Sequence, residues 1–483
     1  MADLKDSVTQ RNWGAIIGVA LFLAVMLLPA PAGMPAPAWK VAGVALLMAM
    51  LWITEALPIP ATALLPLILF PLFGVASMRD AASPYADPVI FLFFGGFVIG
   101  LGMQRWSLHR RLGLRAILWI GTSPHRLIAG FMVATALLSM WVSNTATTIM
   151  MLPVALSVLT LFDERAKGVQ HPQTNLGIVL MLAVAYGASI GGLGTLIGTP
   201  PNALLAAYMA REHGIQIGFA QWMALGLPVV ALMLTGAWLI LIRIYPVRID
   251  VGDDAAQVVQ SELDTLGPIS TPEIRIACVF GLTALAWITR PLYAGSVSGI
   301  DDTTIAVAGA FVLFLIPSGA PEGGRLLAWD DVRTLPWGVL ILFGGGLSLA
   351  GAINSSGLAA WLGANLQILV TWPVILIVAV ATLAMIFLTE LTSNTASAAT
   401  FLPIGGAIAL GIGLDPITLV VPLALAASCA FMLPVATPPN AIVFSSGRIT
   451  IAQMARAGFW INLFGAGMIV AASYPLAGWL FTR

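Results

Sequence analysis

Two short polar runs stand inside an otherwise apolar chain: Ser143-Asn144-Thr145 and Ser393-Asn394-Thr395. Their hydroxyls can ligate a cation or donate to an anion, and each asparagine offers both an oxygen and an NH2 group. A hydrolase built on Ser143 or Ser393 would need a base. No His or Lys lies in those segments, and HExxH is absent, so an enzyme is not expected. Each run is followed by a second motif, Thr199-Pro200-Pro201-Asn202 and Thr437-Pro438-Pro439-Asn440. Successive prolines lack N–H donors and clash with the preceding turn, so a helix must open there. In the first copy the glycines of "GGLGTLIG" loosen the backbone further. Carbonyls freed in this way suit a hard cation such as Na⁺, and N–H groups freed at half-helix N-termini suit an anion. Simpler readings exist: a Ser/Thr packing stripe, or prolines that only kink packed helices. They explain one motif more easily than two pairs in the same order. No Lys or Arg lies in any of the four motifs, so a polyanion bound there must be balanced by co-bound cations and dipoles.

The elements that carry these motifs follow from composition. The chain has 483 residues, 59% hydrophobic and only 9% charged, with a mean hydropathy of +0.97. Many segments approach the ~20 apolar residues needed to cross a bilayer. The alternating ~10-residue pattern of a membrane barrel is missing. The expected class is therefore an all-α polytopic membrane protein with the lipid bilayer as its surroundings. Net charge is zero, which gives no reason to expect nucleic acid. Lys5 and Arg11 precede the run Trp13 to Ala30, which is long enough to span and is read as an uncleaved first helix. Eleven spans are expected, at about 13–30, 39–57, 60–76, 89–104, 176–210, 221–244, 274–290, 302–317, 336–353, 417–446 and 457–481. The polar stretch 248–273 reads as an extramembrane linker. Two more apolar segments, 124–162 and 372–413, are broken by the SNT runs. Broken backbone is tolerated at membrane depth only inside protein or beside a water-filled cavity, so each is read as a re-entrant hairpin.

The halves are repeats. SNT recurs 250 residues on, FGG at Phe94 recurs at Phe343, and TPPN recurs at Thr437. The hairpin-to-TPPN distance is twelve residues longer in the first half, and the loop around 163–175 is expected to absorb this. Each repeat holds five spans, an odd number, so the two lie inverted, as in secondary transporters. With the N-terminus cytoplasmic and the C-terminus outside, Lys40, Arg79, Arg211, Arg290 and Arg483 are the external members of the 21 Lys and Arg. That split obeys the positive-inside rule. Of the remaining polar residues, Glu55 and Glu390 sit at the ends of apolar segments. Either could bind an ion or hold backbone N–H groups. His109, His125, His171 and His213 are assigned to loops, and Cys278 and Cys429 to buried positions without a disulfide.

The stretches "TEALPIPATALLPLILFPLFG", "WVSNTATTIMMLPVA", "GASIGGLGTLIGTPPN", "TSNTASAATFLPI" and "FMLPVATPPNAIVF" resemble the divalent anion/sodium symporter (DASS) family, from about Trp39 to the end. The resemblance implies a homodimer in the inner membrane that couples Na⁺ to uptake of C4-dicarboxylates such as succinate, malate or fumarate by an elevator mechanism. A Na⁺-independent di- or tricarboxylate exchanger on the same fold is the alternative. It further implies scaffold parts at 1–121 and 274–369, each ending in an interfacial arm. Transport parts would be 122–246 and 370–483, with the linker at 247–273. Carried over by motif, a first Na⁺ site would use Ser139, Ser143, Asn144 and the Gly192 carbonyl, with Gly191 and Gly194 as competitors for the last place. A second would use Thr389, Ser393, Asn394 and the Ala436 carbonyl. Substrate carboxylates would meet Asn144, Thr145, Ser393, Asn394, Thr395, Thr437 and Pro438.

Overall fold

A computed structural model describes residues 2–165, 175–247, 252–293, 295, 299–366 and 370–481. The regular secondary structure of these residues is helical, apart from one isolated bridge between Pro317 and Arg325. The first half opens with α1 (Ala2–Leu27), ahead of the repeat, packed along α2 (Ala36–Ile53). Next come α3 (Ile59–Thr62), α4 (Leu65–Leu72) and α5 (Met78–Ala82), then α6 (Pro88–Arg105) and α7 (Leu108–Ile120). The first SNT segment is α8 (Pro124–Ser139) and α9 (Asn144–Arg165). Then follow α10 (Leu176–Gly191), α11 (Pro200–His213) and α12 (Phe219–Ile244). After α13 (Gly252–Asp264), the second half runs α14 (Thr271–Tyr293), α15 (Asp302–Leu315), α16 (Trp337–Ser355) and α17 (Leu358–Asn365). Its SNT segment is α18 (Val374–Thr389) and α19 (Asn394–Gly411), followed by α20 (Ile417–Ala427), α21 (Pro438–Phe444) and α22 (Ile451–Phe481).

Several expectations change. The apolar segment 60–76 is not one helix: α3 and α4 meet at a break, and the eight residues of α4 rise only about 12 Å. Helix α15, with 14 residues, rises about 21 Å, less than a hydrocarbon layer. Both remain apolar and packed against neighbours, which composition alone could not tell from a straight span. The described part of the polar stretch 248–273 carries a helix of its own. Its α13 packs on α7 and α9, and Arg110 pairs with Glu262 at 2.5 Å. Beside it Arg111 is buried. It reaches Glu273 at 2.7 Å and donates to the Gly267 and Leu266 carbonyls, so α7 is tied to the start of α14. Removing one member of such a buried pair would leave an uncompensated charge.

The histidines within the described residues are helical, not in loops. His109 lies in α7 against the Met103 carbonyl (3.0 Å), and burial pushes its imidazole pKa down. His125 is in the first turn of α8, and His213 ends α11 with its ring edge-on to Tyr208. His171 and the loop at 166–174 fall outside the described residues. Cys429 is buried as expected, whereas Cys278 is exposed.

Helix α10 is almost wholly buried and forms the centre of the first half, packed against α8, α9, α12 and α21. Helix α20 has the same place in the second half, against α18, α19 and α22. The halves interlock. The TPPN helix α21 packs on the SNT helix α9, and TPPN helix α11 packs on SNT helix α19. Each repeat therefore completes the other.

Candidate functional site

Helix α8 ends at Ser139, and the chain turns through Met140–Ser143 before α9 begins at Asn144. Ser143 accepts from the Ala146 N–H (3.3 Å), the bond expected of a polar residue ahead of a helix. In the second half α18 ends at Thr389 and α19 begins at Asn394. Across each turn a hydroxyl donates to the asparagine side-chain oxygen: Ser139 to Asn144 Oδ1 at 2.5 Å, and Thr389 to Asn394 Oδ1 at 2.8 Å. Ser139 and Thr389 are both fully buried. Two oxygens are thus held side by side behind each tip.

The proline motifs open the helix as expected. Helix α10 gives way to a short turn at Gly192–Gly194 and restarts at Pro200, while α20 stops at Ala427 and α21 starts at Pro438. The asparagine of each motif bridges the gap. Asn202 Nδ2 donates to the Gly192 and Thr195 carbonyls at 3.1 and 2.8 Å, and Asn440 Nδ2 to the Ala430 and Leu433 carbonyls at 3.1 and 3.0 Å. Both asparagines are fully buried, and the side-chain oxygen of each has no partner among the described residues. Sequence reasoning did not single out Asn202 and Asn440, although the fourth letter of TPPN was the signal.

One cavity of about 830 Å³ takes in all four motifs. Ser143, Asn144, Thr145, Ser393, Asn394, Thr395, Ala436, Thr437 and Pro438 line it, together with Gly198, Thr199 and Pro200. Ser139, Thr389 and Gly192 lie behind this surface. Of the three competing glycines, Gly192 faces the first tip: a methyl group there would stand 3.1 Å from Asn144 Oδ1. At Gly191 a methyl would strike the backbone of Ala136, and at Gly194 the side chain of Met140. The two expected carbonyl donors are not repeat equivalents, however. Matching Asn202 to Asn440 pairs Gly192 with Ala430 and Ala436 with Gly198.

Helices α9, α11, α19 and α21 all present their N-terminal residues to this cavity, so four positive helix ends surround it. Among the described residues Glu55 is the one ionisable side chain that lines it, and no Lys or Arg does. Glu55 has φ +46°, a left-handed backbone that non-glycine residues seldom adopt. Gln104, Trp141 and Thr334 line the same cavity and were not anticipated. Glu390 is absent from the lining; its carboxylate is taken up by backbone N–H groups instead.

This geometry can be set beside known proteins. The sequence matches the family described as the sodium:sulfate symporter transmembrane region over residues 9–482. The chain belongs to that family. Within it, the protein named sodium-dependent dicarboxylate transporter SdcS of Staphylococcus saprophyticus is 43% identical over 474 residues, covering 96% of this chain and 91% of the relative. The SdcS of Staphylococcus aureus (strain USA300) is also 43% identical, over 95% of this chain and 90% of its own length. Among solved structures, Neisseria gonorrhoeae MtrF, from work on a class of antimetabolite efflux pumps, superposes with a TM-score of 0.57. It is 13% identical and covers 94% of this chain and 97% of its own. The Alcanivorax borkumensis YdaH transporter gives 0.55 at 14% identity, covering 92% and 98%. At such identities these two likenesses concern the fold alone. The chain is thus an all-helical, multi-pass membrane transporter of the sodium:sulfate symporter family.

Proposed function

We propose that this protein is a secondary active symporter that carries C4-dicarboxylates into the cell together with Na⁺. The observation that carries the reading is the cavity. It gathers four helix N-termini and two SNT tips, and no Lys or Arg lines it. A dianion is attracted by the helix ends and N–H groups, but its charge needs mobile cations that enter with it. The relatives named sodium-dependent dicarboxylate transporters support the same cargo.

In this reading Ser139, Ser143, Asn144 and the Gly192 carbonyl hold one Na⁺. Thr389, Ser393, Asn394 and the Ala436 carbonyl hold another. The paired oxygens behind each tip fit a hard cation, which would draw both toward itself in place of their shared proton. Asn144, Thr145, Ser393, Asn394, Thr395, Thr437 and Pro438 receive the substrate carboxylates, one carboxylate per tip. The asparagines therefore touch both cargoes, so a filled cation site arranges the amide that the anion meets. That is coupling through a shared ligand.

The two SNT segments act as re-entrant hairpins from opposite faces. With both TPPN helices they form transport parts (122–246 and 370–483) that move against scaffold parts (1–121 and 274–369) in a homodimer of the inner membrane. The deciding experiment is succinate uptake into proteoliposomes under a Na⁺ gradient, compared with K⁺ or choline. Uptake that requires Na⁺ is expected; equal uptake in all three would refute the symporter.

A further inference from the structure

Glu390 is the most heavily engaged buried carboxylate described, and nothing above gives it a task. It is 3% exposed and has no cationic partner among the described residues. Its Oε1 accepts from the Phe431 N–H (2.6 Å), the Met432 N–H (2.9 Å) and Asn462 Nδ2 (2.7 Å). Its Oε2 accepts from the Met432 and Leu433 N–H groups at 3.0 and 3.1 Å. Three successive N–H groups around one anion form a nest. The carbonyl side of the same stretch is also held. Tyr186 of the first repeat donates to the Phe431 carbonyl at 2.7 Å, and Asn440 to those of Ala430 and Leu433. Thr389, the neighbour of Glu390, donates to both Asn394 Oδ1 and the Ala427 carbonyl.

The first repeat has no such clamp. Met140 stands at the position of Glu390, and what it offers is its carbonyl, to Thr195 Oγ1 at 2.5 Å. There the open stretch is shaped by a short turn through Gly192–Gly194, with Trp222 donating to the Leu193 carbonyl.

We propose that Glu390 is a positioning residue for the second cation site. It fixes the open chain between α20 and α21, from which Ala436 and Thr437 reach the cavity, and it sets a buried carboxylate directly after Thr389, where the first repeat has Met140 after Ser139. The two cation sites are therefore unequal: the second binds more tightly and fills first, with Glu390 as the reason. This rests on the symport reading above.

The test is the Na⁺ activation curve of succinate uptake by purified Glu390→Gln in proteoliposomes. Glutamine keeps the shape, removes the charge and sets an NH2 group against N–H donors. Loss of an outer support of a cation site typically costs 10–100-fold in affinity, so the half-saturating Na⁺ concentration should rise at least about tenfold. Succinate KM at saturating Na⁺ should stay within about twofold, since the anion's own ligands are untouched. A merely structural role predicts the opposite: uptake lowered equally at every Na⁺ concentration with an unchanged curve, and that result overturns the proposal. Should Glu390→Gln fail to give monodisperse protein, Asn462→Ala decides, because it removes one carboxylate partner and keeps the charge. A smaller shift in the same direction is expected, and an unshifted curve refutes the proposal. If wild-type uptake does not need Na⁺, the symport reading fails; if it does and Glu390→Gln keeps the wild-type curve, only this inference fails.

Discussion

The first SNT–TPPN unit and the second reach the same amide geometry from different supports. In both, a buried hydroxyl five residues before the SNT asparagine donates to its side-chain oxygen. In both, the TPPN asparagine spans the opened helix by donating to two carbonyls. Around this shared core the repeats part. The first relies on glycines, and its Thr199 hydroxyl reaches across to Ser428 at 3.3 Å. The second relies on the Glu390 carboxylate, and its Thr437 hydroxyl instead accepts from the Asn440 N–H, capping α21. The polar groups presented to the cavity are duplicated, while what holds the backbone open varies. Any chemistry that satisfies the exposed N–H and C=O groups serves for support.

The largest expected effect tests whether the interlocked halves move as one body. Gly346 of α16 faces Ala399 of α19, where a methyl on the glycine would stand 2.9 Å from Ala399 Cβ. A Gly346→Cys/Ala399→Cys pair, with Cys278 and Cys429 replaced, should stop succinate uptake when oxidised and recover it on reduction. Full transport in the oxidised form would mean that the SNT helices need not move against α16. Next come the tips themselves. Asn144→Ala and Asn394→Ala should each lower uptake by roughly 100-fold or more without changing the elution of the purified protein, because in the proposed site each removes a ligand shared by cation and anion. Wild-type uptake in either one would break the equivalence of the two tips.

The bridging asparagines should matter less and equally. Asn202→Ala and Asn440→Ala each take a donor away from two carbonyls, and the half-saturating Na⁺ concentration should rise about tenfold in both. A large effect in one repeat alone would show that the matched geometry is not matched in use. The smallest effect concerns the threonines. Thr437→Ala loses a helix cap and a cavity hydroxyl, so succinate KM should rise several-fold, about the 0.5–2 kcal/mol range of a lost cap. Thr199→Ala loses only a long contact to Ser428 and should change KM by less than about twofold. Succinate titrations of the two variants measure the difference directly, and equal shifts would remove this distinction between the repeats.

Much of the fold was legible in the chain because its signals are local or duplicated. Apolar length marks helices, double proline marks where they open, and SNT occurring twice marks two matching tips. Glycine at 192 and the hydroxyls at 139 and 389 were reachable from the family motif, and they do stand beside the asparagines. Less legible were the breaks in 60–76, since Leu64 and its neighbours look equally apolar in a straight or a broken helix.

By itself the sequence determined the membrane class and the four motifs, because each depends on neighbours within one segment. Only the tertiary structure decided that Glu390 answers N–H groups 41 to 43 residues away and Asn462 72 residues away. It also decided that α21 lies on α9 and α11 on α19, and that Glu55 faces the shared cavity. A carboxylate in an apolar segment states that it must find partners, since leaving it alone costs several kcal/mol or more. Whether those partners are ions or backbone depends on what the fold packs beside it.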